Sequence, residues 1–289
     1  MSKIIVSVEA TADIREDVRQ QYGIAVVPME FIVDGKVQRT DDPDCMPLKT
    51  FYNEMREGKP TQTSQVNREE ALKHLESFLE KGDEIIQVSF SSALSGTCAN
   101  FLSAAEELDR KYPGKVKVVD SLCACSGQAL LAVLTAKFAA KGKTLDEVYR
   151  YCSDLVPKIN HIFTVENLKY LARGGRISKA TALLGNAMQL KPIMRCDEAG
   201  KLVAFKKVLA RNRSLTVQVE EVCAKFSGEY EEMYISHADC LQEAESVRDR
   251  IAERLGIHPE IMDLGPVIGS HSGPGTIAVF FVGKDRAVV

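Results

Sequence analysis

The strongest constraint on the fold is the way β-branched apolar runs alternate with segments of helical periodicity. KIIVSV (residues 3–8), IAVVPMEFIV (24–33), EIIQVSF (84–90) and KVKVVDS (115–121) are short and rich in Val and Ile, and they read as buried strands. Amphipathic or small-residue stretches follow them, notably residues 97–111 and GQALLAVLTAKFAAKG (127–142). This alternation is the grammar of an α/β protein with a mainly parallel sheet flanked by helices. After Pro157 the rhythm changes. NHIFTV, KPIMRC and KLVAFKKVLA read as strands separated by short helices, and EEMYISHA, PEIMDL and TIAVFFVG follow. A second α/β unit with a mixed or antiparallel sheet is expected there. A boundary within residues 155–159 divides the chain into an N-terminal α/β domain (1–157) and a C-terminal α/β domain (158–289). No internal repeat or low-complexity tract interrupts either one.

Composition narrows the partners. With 289 residues the chain is long enough for two compact cores, and its net charge of −3 is spread evenly. Nucleic acid is excluded as a partner by this balance, because its binding depends on a concentrated basic field. MSKIIVSVEATADI lacks the apolar stretch of a secretory signal, and no apolar run approaches the roughly 18 residues of a membrane span. A cytoplasmic protein without a transmembrane segment is expected. The eight cysteines are scattered, and Cys123 with Cys125 in SLCACSG is the only close pair. Without a second pair to complete a tetrahedral site, reduced thiols packed as small hydrophobes are expected, and no metal.

Four segments carry chemistry. PTQTSQVN (60–67) sets Thr63, Ser64 and Gln65 ahead of a helix-like segment, where hydroxyls serve as N-caps or as ligand donors. SSALSGT (91–97) gathers Ser91, Ser92, Ser95 and Thr97 around Gly96 at a strand-to-helix turn. Such a turn offers hydroxyl and backbone N–H groups to an anion, and Gly96 permits close backbone approach. LKYLARGGRIS (168–178) places Arg173 and Arg176 about a Gly-Gly pair that reads as a helix C-cap followed by a new helix start. LGPVIGSHSGPGTIAVFF (264–281) displays His271 on what reads as a tight loop held by glycines and Pro274. That histidine is a ligand, a catalytic base or a satisfied turn residue, and spacing alone does not rank the three.

In sequence order these segments resemble the DegV family of bacterial fatty-acid-binding proteins. The matching motifs are TSQ at residues 63–65, SSALSGT, Asp120-Ser121, LKYLARGGRIS, KPIM at 191–194 and GPVIGSHSGPG at 265–275. The resemblance covers essentially the whole chain. It implies two α/β domains with one long-chain fatty acid, such as palmitate, held in a tunnel between them. It implies that Thr63 and Ser95 bind the carboxylate, with Ser64, Gly96 and Thr97 beside them. It further implies that His271 lies near the head group, and Arg176 near the surface where a separate fatty acid kinase docks to make the acyl phosphate. The protein would then be a carrier, not a catalyst, with no cofactor beyond its bound fatty acid. Four positions depart from the family's pattern: Glu9 and Ala10 stand where it has Asp-Ser, Val66 where it has proline, and Leu209 where an arginine is common, with Arg211 two positions on.

The chemistry agrees with a carrier. Hydroxyl and backbone donors hold a carboxylate after it leaves water. At about 0.8 kcal/mol per buried CH₂, a sixteen-carbon tail contributes on the order of 12 kcal/mol before ordering costs. The alternatives are a serine hydrolase built from Ser95 or Ser121 with His271, and a phosphotransferase acting on a small acyl substrate. GxSxG, GxxxxGK[ST] and a GxGxxG after the first strand are all absent from the sequence.

Overall fold

A computed structural model describes residues 3–178 and 190–287. Its strands are β1 (Ile4–Glu9), β2 (Ala25–Val27), β3 (Glu30–Val33), β4 (Lys36–Arg39), β5 (Thr61–Thr63), β6 (Glu84–Ser89), β7 (Val116–Asp120), β8 (Ile159–Thr164), β9 (Leu190–Cys196), β10 (Leu202–Leu209), β11 (Met233–His237), β12 (Glu260–Asp263) and β13 (Ile277–Val282). The Val- and Ile-rich runs form a four-stranded sheet in the order β2-β1-β6-β7, with every pairing parallel. A parallel sheet is covered by helices on both faces, which is why β6 is buried along nearly its whole length rather than at alternate residues. Beyond Pro157 the strands build a six-stranded mixed sheet, β10-β9-β8-β13-β11-β12, antiparallel except for β11 with β12. The α/β class and both sheet types agree with the sequence reading.

Three local expectations change. IAVVPMEFIV is not one strand: β2 joins the parallel sheet, and β3 starts a small antiparallel sheet, β4-β3-β5. Pro28 lies at the break, where its missing N–H ends ladder pairing. The helix Arg68–Leu79 takes its cap from Asn67, which accepts from the Glu70 N–H while Glu70 accepts from the Asn67 N–H. Thr63 and Ser64 are therefore not its caps. His271 sits not on a loop but in the last turn of a short helix, Pro266–Ser272, whose proline occupies the first turn, where a missing N–H costs nothing. The helix start expected after Gly174-Gly175 lies outside the described residues.

The helix Ser126–Ala139 organises the interior. Residues 126–136 are all buried, so no face of it is left for solvent. It packs on β1 and β6 of the parallel sheet and on β8, β11 and β13 of the mixed sheet. One apolar cluster accordingly runs from Val6 and Val88 through Leu130 and Leu134 to Phe163 and Phe280. Its first turn carries Gln128, whose Nε2 donates to the Val88 carbonyl at 2.9 Å and to the Glu9 carboxylate. That assignment leaves Gln128 Oε1 to accept from Thr11 Oγ1 at 2.9 Å. Glu9 also receives Ser89 Oγ at 2.5 Å and the Phe90 N–H at 3.0 Å. Burial pushes the Glu9 carboxyl above its usual range, and these donors oppose the push. No described helix is long and apolar enough to cross a membrane.

Tyr52 ties the N-terminal half to the last helix. It is fully buried, and its hydroxyl donates to the Leu264 carbonyl at 2.5 Å. Tyr52→Phe strands that carbonyl and should lower unfolding free energy by about 1–3 kcal/mol. Urea titration checks this, with a shifted midpoint and an unchanged slope as the expected result.

Candidate functional site

A cavity of about 340 Å³ lies between the carboxyl ends of the parallel strands and one face of the mixed sheet. Its interior wall is apolar, with Phe90, Leu94, Phe163, Val267 and Phe280 contributing, whereas its outer end is polar. Thr63, Ser64, Ser95, Gly96, Arg176 and His271 all line it, brought together from four separate parts of the chain. Thr97 does not line it. The Thr97 hydroxyl is buried, 3.0 Å from Ser95 Oγ, and accepts the Val66 N–H at 3.2 Å, so it fastens one motif to the other. Asn100 adds a second tie, donating to the Val66 carbonyl at 2.8 Å.

Close approaches explain two of the glycines. A Cβ on Gly96 would lie 2.3 Å from Gln65 Oε1, so the neighbour that Gly96 admits is the Gln65 side chain. A Cβ on Gly174 would lie 2.3 Å from His271 Nδ1, which seats the imidazole directly on the Gly-Gly turn. The other ring nitrogen, Nε2, is 2.7 Å from Thr63 Oγ1. Nδ1 is buried and makes no hydrogen bond among the described residues. Below this pair Arg173 donates to Thr61 Oγ1 at 2.8 Å, and Thr61 donates to the Ser270 carbonyl at 3.0 Å. β5, the Gly-Gly turn and the helix Pro266–Ser272 are thereby locked into one rim.

The rim carries a positive charge. Arg176 donates to the Leu94 carbonyl at 3.2 Å and to the Gly174 carbonyl at 2.5 Å, and no described carboxylate pairs with it. Burial alone pulls its pKa down from the usual value, and a guanidinium stays charged through that. His271 is pulled down to about 4, first by burial and then by the charges of Arg176 and Arg173. The rim thus presents a neutral imidazole, hydroxyls and one cation, and no acidic side chain lines the cavity among the described residues. Such an end suits an anionic group joined to an apolar body.

The hydrolase arrangement is not assembled among the described residues. Ser95 pairs with Thr97, Ser121 Oγ accepts the Cys123 N–H at 3.1 Å, and the hydroxyl on His271 belongs to Thr63. Among the described residues no cluster of three or more His, Cys, Asp and Glu side chains could hold a metal ion. Sequence reasoning missed the Thr61–Arg173–Ser270 lock, the role of Gln65 and the cavity-lining His161. The first of these joins side chains to a backbone carbonyl, which leaves no motif to read.

These features describe an α/β protein with a cavity suited to an apolar ligand that has a polar head. The DegV family's sequence model matches residues 3–284, and the chain belongs to that family. It is 36% identical to a DegV domain-containing protein of Clostridium perfringens, over 99% of both chains. Among solved structures it is similar to a DegV family protein from Thermus thermophilus described by its fatty acid binding, with a TM-score of 0.86 and 26% identity over 96% of this chain and 98% of that one. A Thermotoga maritima protein said to reveal fatty acid binding function matches with a TM-score of 0.82 and 25% identity, covering 97% of this chain and 99% of the other.

The suppressed basicity of His271 makes stability depend on pH. Its folded pKa lies below the unfolded value of 6.5, so the neutral ring's contribution is complete above pH 6.5 and is lost as pH falls from about 6.5 to about 4. His271→Gln should flatten the decline in that window by up to about 1.4 kcal/mol per pH unit relative to the parent. Urea unfolding of lipid-free protein across the window measures the difference between the two slopes.

Proposed function

We propose that this protein binds one long-chain fatty acid, with the carboxylate at the rim on the Thr63 and Ser95 hydroxyls and the tail in the apolar cavity. The observation that carries the reading is a largely apolar cavity of about 340 Å³ with a polar end that joins hydroxyls to a cation without a carboxylate partner among the described residues. The volume is in the range of small-molecule sites. The fatty acids named for the Thermus and Thermotoga proteins support the same ligand class here. Residues 1–157 and 158–289 are taken as the two domains, since the parallel and small antiparallel sheets use only strands before the boundary and the mixed sheet only strands after it.

The rim also supports presentation of the acid to a separate kinase in the cytoplasm. Gln65 and Gly96 are exposed, and Ser95, Arg176 and His271 are partly so, which leaves a carboxylate there within reach of a docked enzyme. Arg176 can hold a phosphoryl group by a bidentate contact while His271 orients the Thr63 hydroxyl toward it. The chain itself then needs no catalytic group and no cofactor.

Protein purified from its host should carry a fatty acid at one per chain by native mass spectrometry, and removing the lipid should lower Tm. Lipid-free protein that neither takes up palmitate nor gains Tm from it would overturn the reading. Thr63→Val and Ser95→Ala should each weaken binding by about 0.5–3 kcal/mol. Unchanged affinity in the double variant would move the carboxylate elsewhere, with Ser64 next to be substituted. With a cognate kinase, Arg176→Ala and His271→Ala should lower acyl phosphate formation more than they lower lipid content. Equal losses of both would remove the presentation step from the proposal.

A further inference from the structure

The tail of the chain reaches back to the loop that walls the cavity. Arg286 is 3% exposed, and no carboxylate pairs with it among the described residues. Backbone carbonyls hold its guanidinium instead: Nη1 donates to Leu122 and Nη2 to Val156, each at 2.8 Å. Its own N–H donates to the Pro157 carbonyl at 2.9 Å. A buried cation persists only where hydrogen bonds replace its water, and a planar fork that spans two carbonyls does so in one orientation. The tail is anchored on the way to this point, since the Gly283 N–H donates to the Lys158 carbonyl at 2.9 Å and the Lys284 N–H to the Lys225 carbonyl at 3.0 Å. Arg286 therefore pins the Leu122 carbonyl against residues 156 and 157.

The loop so held leads into the helix Ser126–Ala139 and is under backbone strain. Leu122 lies at φ 48° and Cys125 at φ 54°, conformations that a residue with a Cβ keeps only where its surroundings determine them. Ala124 and Cys125 line the cavity. They stand in its enclosed part: Cys125 is 3% exposed, and so is His161, whose Nε2 accepts the Ala124 N–H at 3.2 Å, whereas Gln65 and Gly96 at the rim are exposed. Burial first, and then the Arg286 charge, pull the His161 pKa down to about 3, which keeps Nε2 an acceptor. The side-chain hydrogen bonds of Thr63, Ser95, Arg176 and His271 involve neither this loop nor the tail.

We propose that Arg286 is a positioning residue for the acyl chain: by holding the Leu122 carbonyl it sets where Ala124 and Cys125 stand, and so how closely the enclosed end of the cavity packs on the far carbons of the ligand. This rests on the fatty-acid reading above and adds to it a determinant of chain-length preference that does not itself line the cavity. Small displacements of such a wall matter, because a gap of about 0.5–1 Å already forfeits a quarter to a half of the dispersion attraction across it. A short acid held at the rim does not depend on that wall. A long one does.

The test is calorimetric titration of lipid-free, full-length protein with octanoic and hexadecanoic acid. In Arg286→Ala, octanoic acid should bind within about twofold of the parent, and hexadecanoic acid about tenfold to twentyfold more weakly, the factor from losing burial of two methylenes at about 0.8 kcal/mol each. Arg286→Lys keeps the charge but cannot span both carbonyls, and it should shift the same ratio by about threefold to tenfold, as for one lost hydrogen bond. The ratio of the two acids is read within each variant, so a general loss of affinity or stability does not imitate the effect. A parental ratio in Arg286→Ala, whether affinity is kept or both acids weaken equally, overturns the proposal. Where that variant does not fold, a parental ratio in Arg286→Lys overturns it. If the parent binds neither acid, the fatty-acid reading itself fails, which is a distinguishable result.

Discussion

A helix without a polar face is stable only where protein covers it on every side, and Ser126–Ala139 imposes that condition on the whole molecule. The parallel sheet covers one side and the mixed sheet another, so the helix fixes how the two sheets lie against each other. The cavity lies at the start of this helix, where residues 124 and 125 line it and lead into the first turn with Cys125 at φ 54°. Backbone in that region is costly for a residue with a Cβ and persists only where the surroundings determine it. Here the Ala124 N–H meets His161, Cys125 Sγ donates to Asp13 at 3.2 Å, and Ser126 Oγ lies 2.6 Å from Ser236 Oγ. The polar groups of this turn thus hold the wall in place while the rest of the helix supplies apolar burial.

At the other end of the cavity the decisive quantity is charge. Burial, and then the charges of Arg176 and Arg173, keep His271 neutral, and a neutral imidazole has two tautomers. With the proton on Nδ1, the ring accepts from Thr63 and consumes the hydroxyl's only proton. With the proton on Nε2, the ring donates to Thr63, whose proton is then free to point into the cavity. An anion at the rim favours the second arrangement, since it gains a donor there. His271 then acts through Thr63, and the short helix that carries it matters because it sets the 2.7 Å contact between them.

The strands were legible because burial on both faces of a parallel sheet leaves uninterrupted Val and Ile runs. The motifs at residues 63–65, 91–97 and 264–281 were legible because hydroxyls, glycines and a histidine stood at strand ends without an ordinary structural account. What escaped was everything decided by tertiary pairing. IAVVPMEFIV has strand composition throughout, and only the partners of its two halves reveal that Pro28 divides it between sheets. PVIGSHS has two weak helix formers, a glycine and a proline, yet it is helical. The Tyr52 bond to Leu264 and the Thr61 bond to Ser270 hold it there, and tertiary contacts outweigh propensities of this size. His161 could not have been singled out, because a histidine in an apolar strand has no local signature.

The four departures from the family pattern fall into place on the same physical terms, since none of Glu9, Ala10, Val66 and Leu209 lines the cavity. Val66 donates its N–H to Thr97, a bond that proline cannot make, so the substitution adds a tie between two loops of the rim. Glu9 reaches from the end of β1 into Ser89, Phe90 and Gln128, and its carboxylate fixes the Gln128 amide so that Oε1 faces Thr11. The longer acid therefore acts on the cavity wall without entering it: it fixes the Gln128 amide to which the cavity-lining Thr11 donates. Leu209 is 66% exposed at the end of β10. The nearby Arg211 is held by Glu243 and the Gly275 carbonyl, the latter at 2.6 Å, which joins it to the loop following His271. Changes at the chain's surface and in its buried polar network thus leave the cavity's lining intact while setting the orientation of the groups behind it.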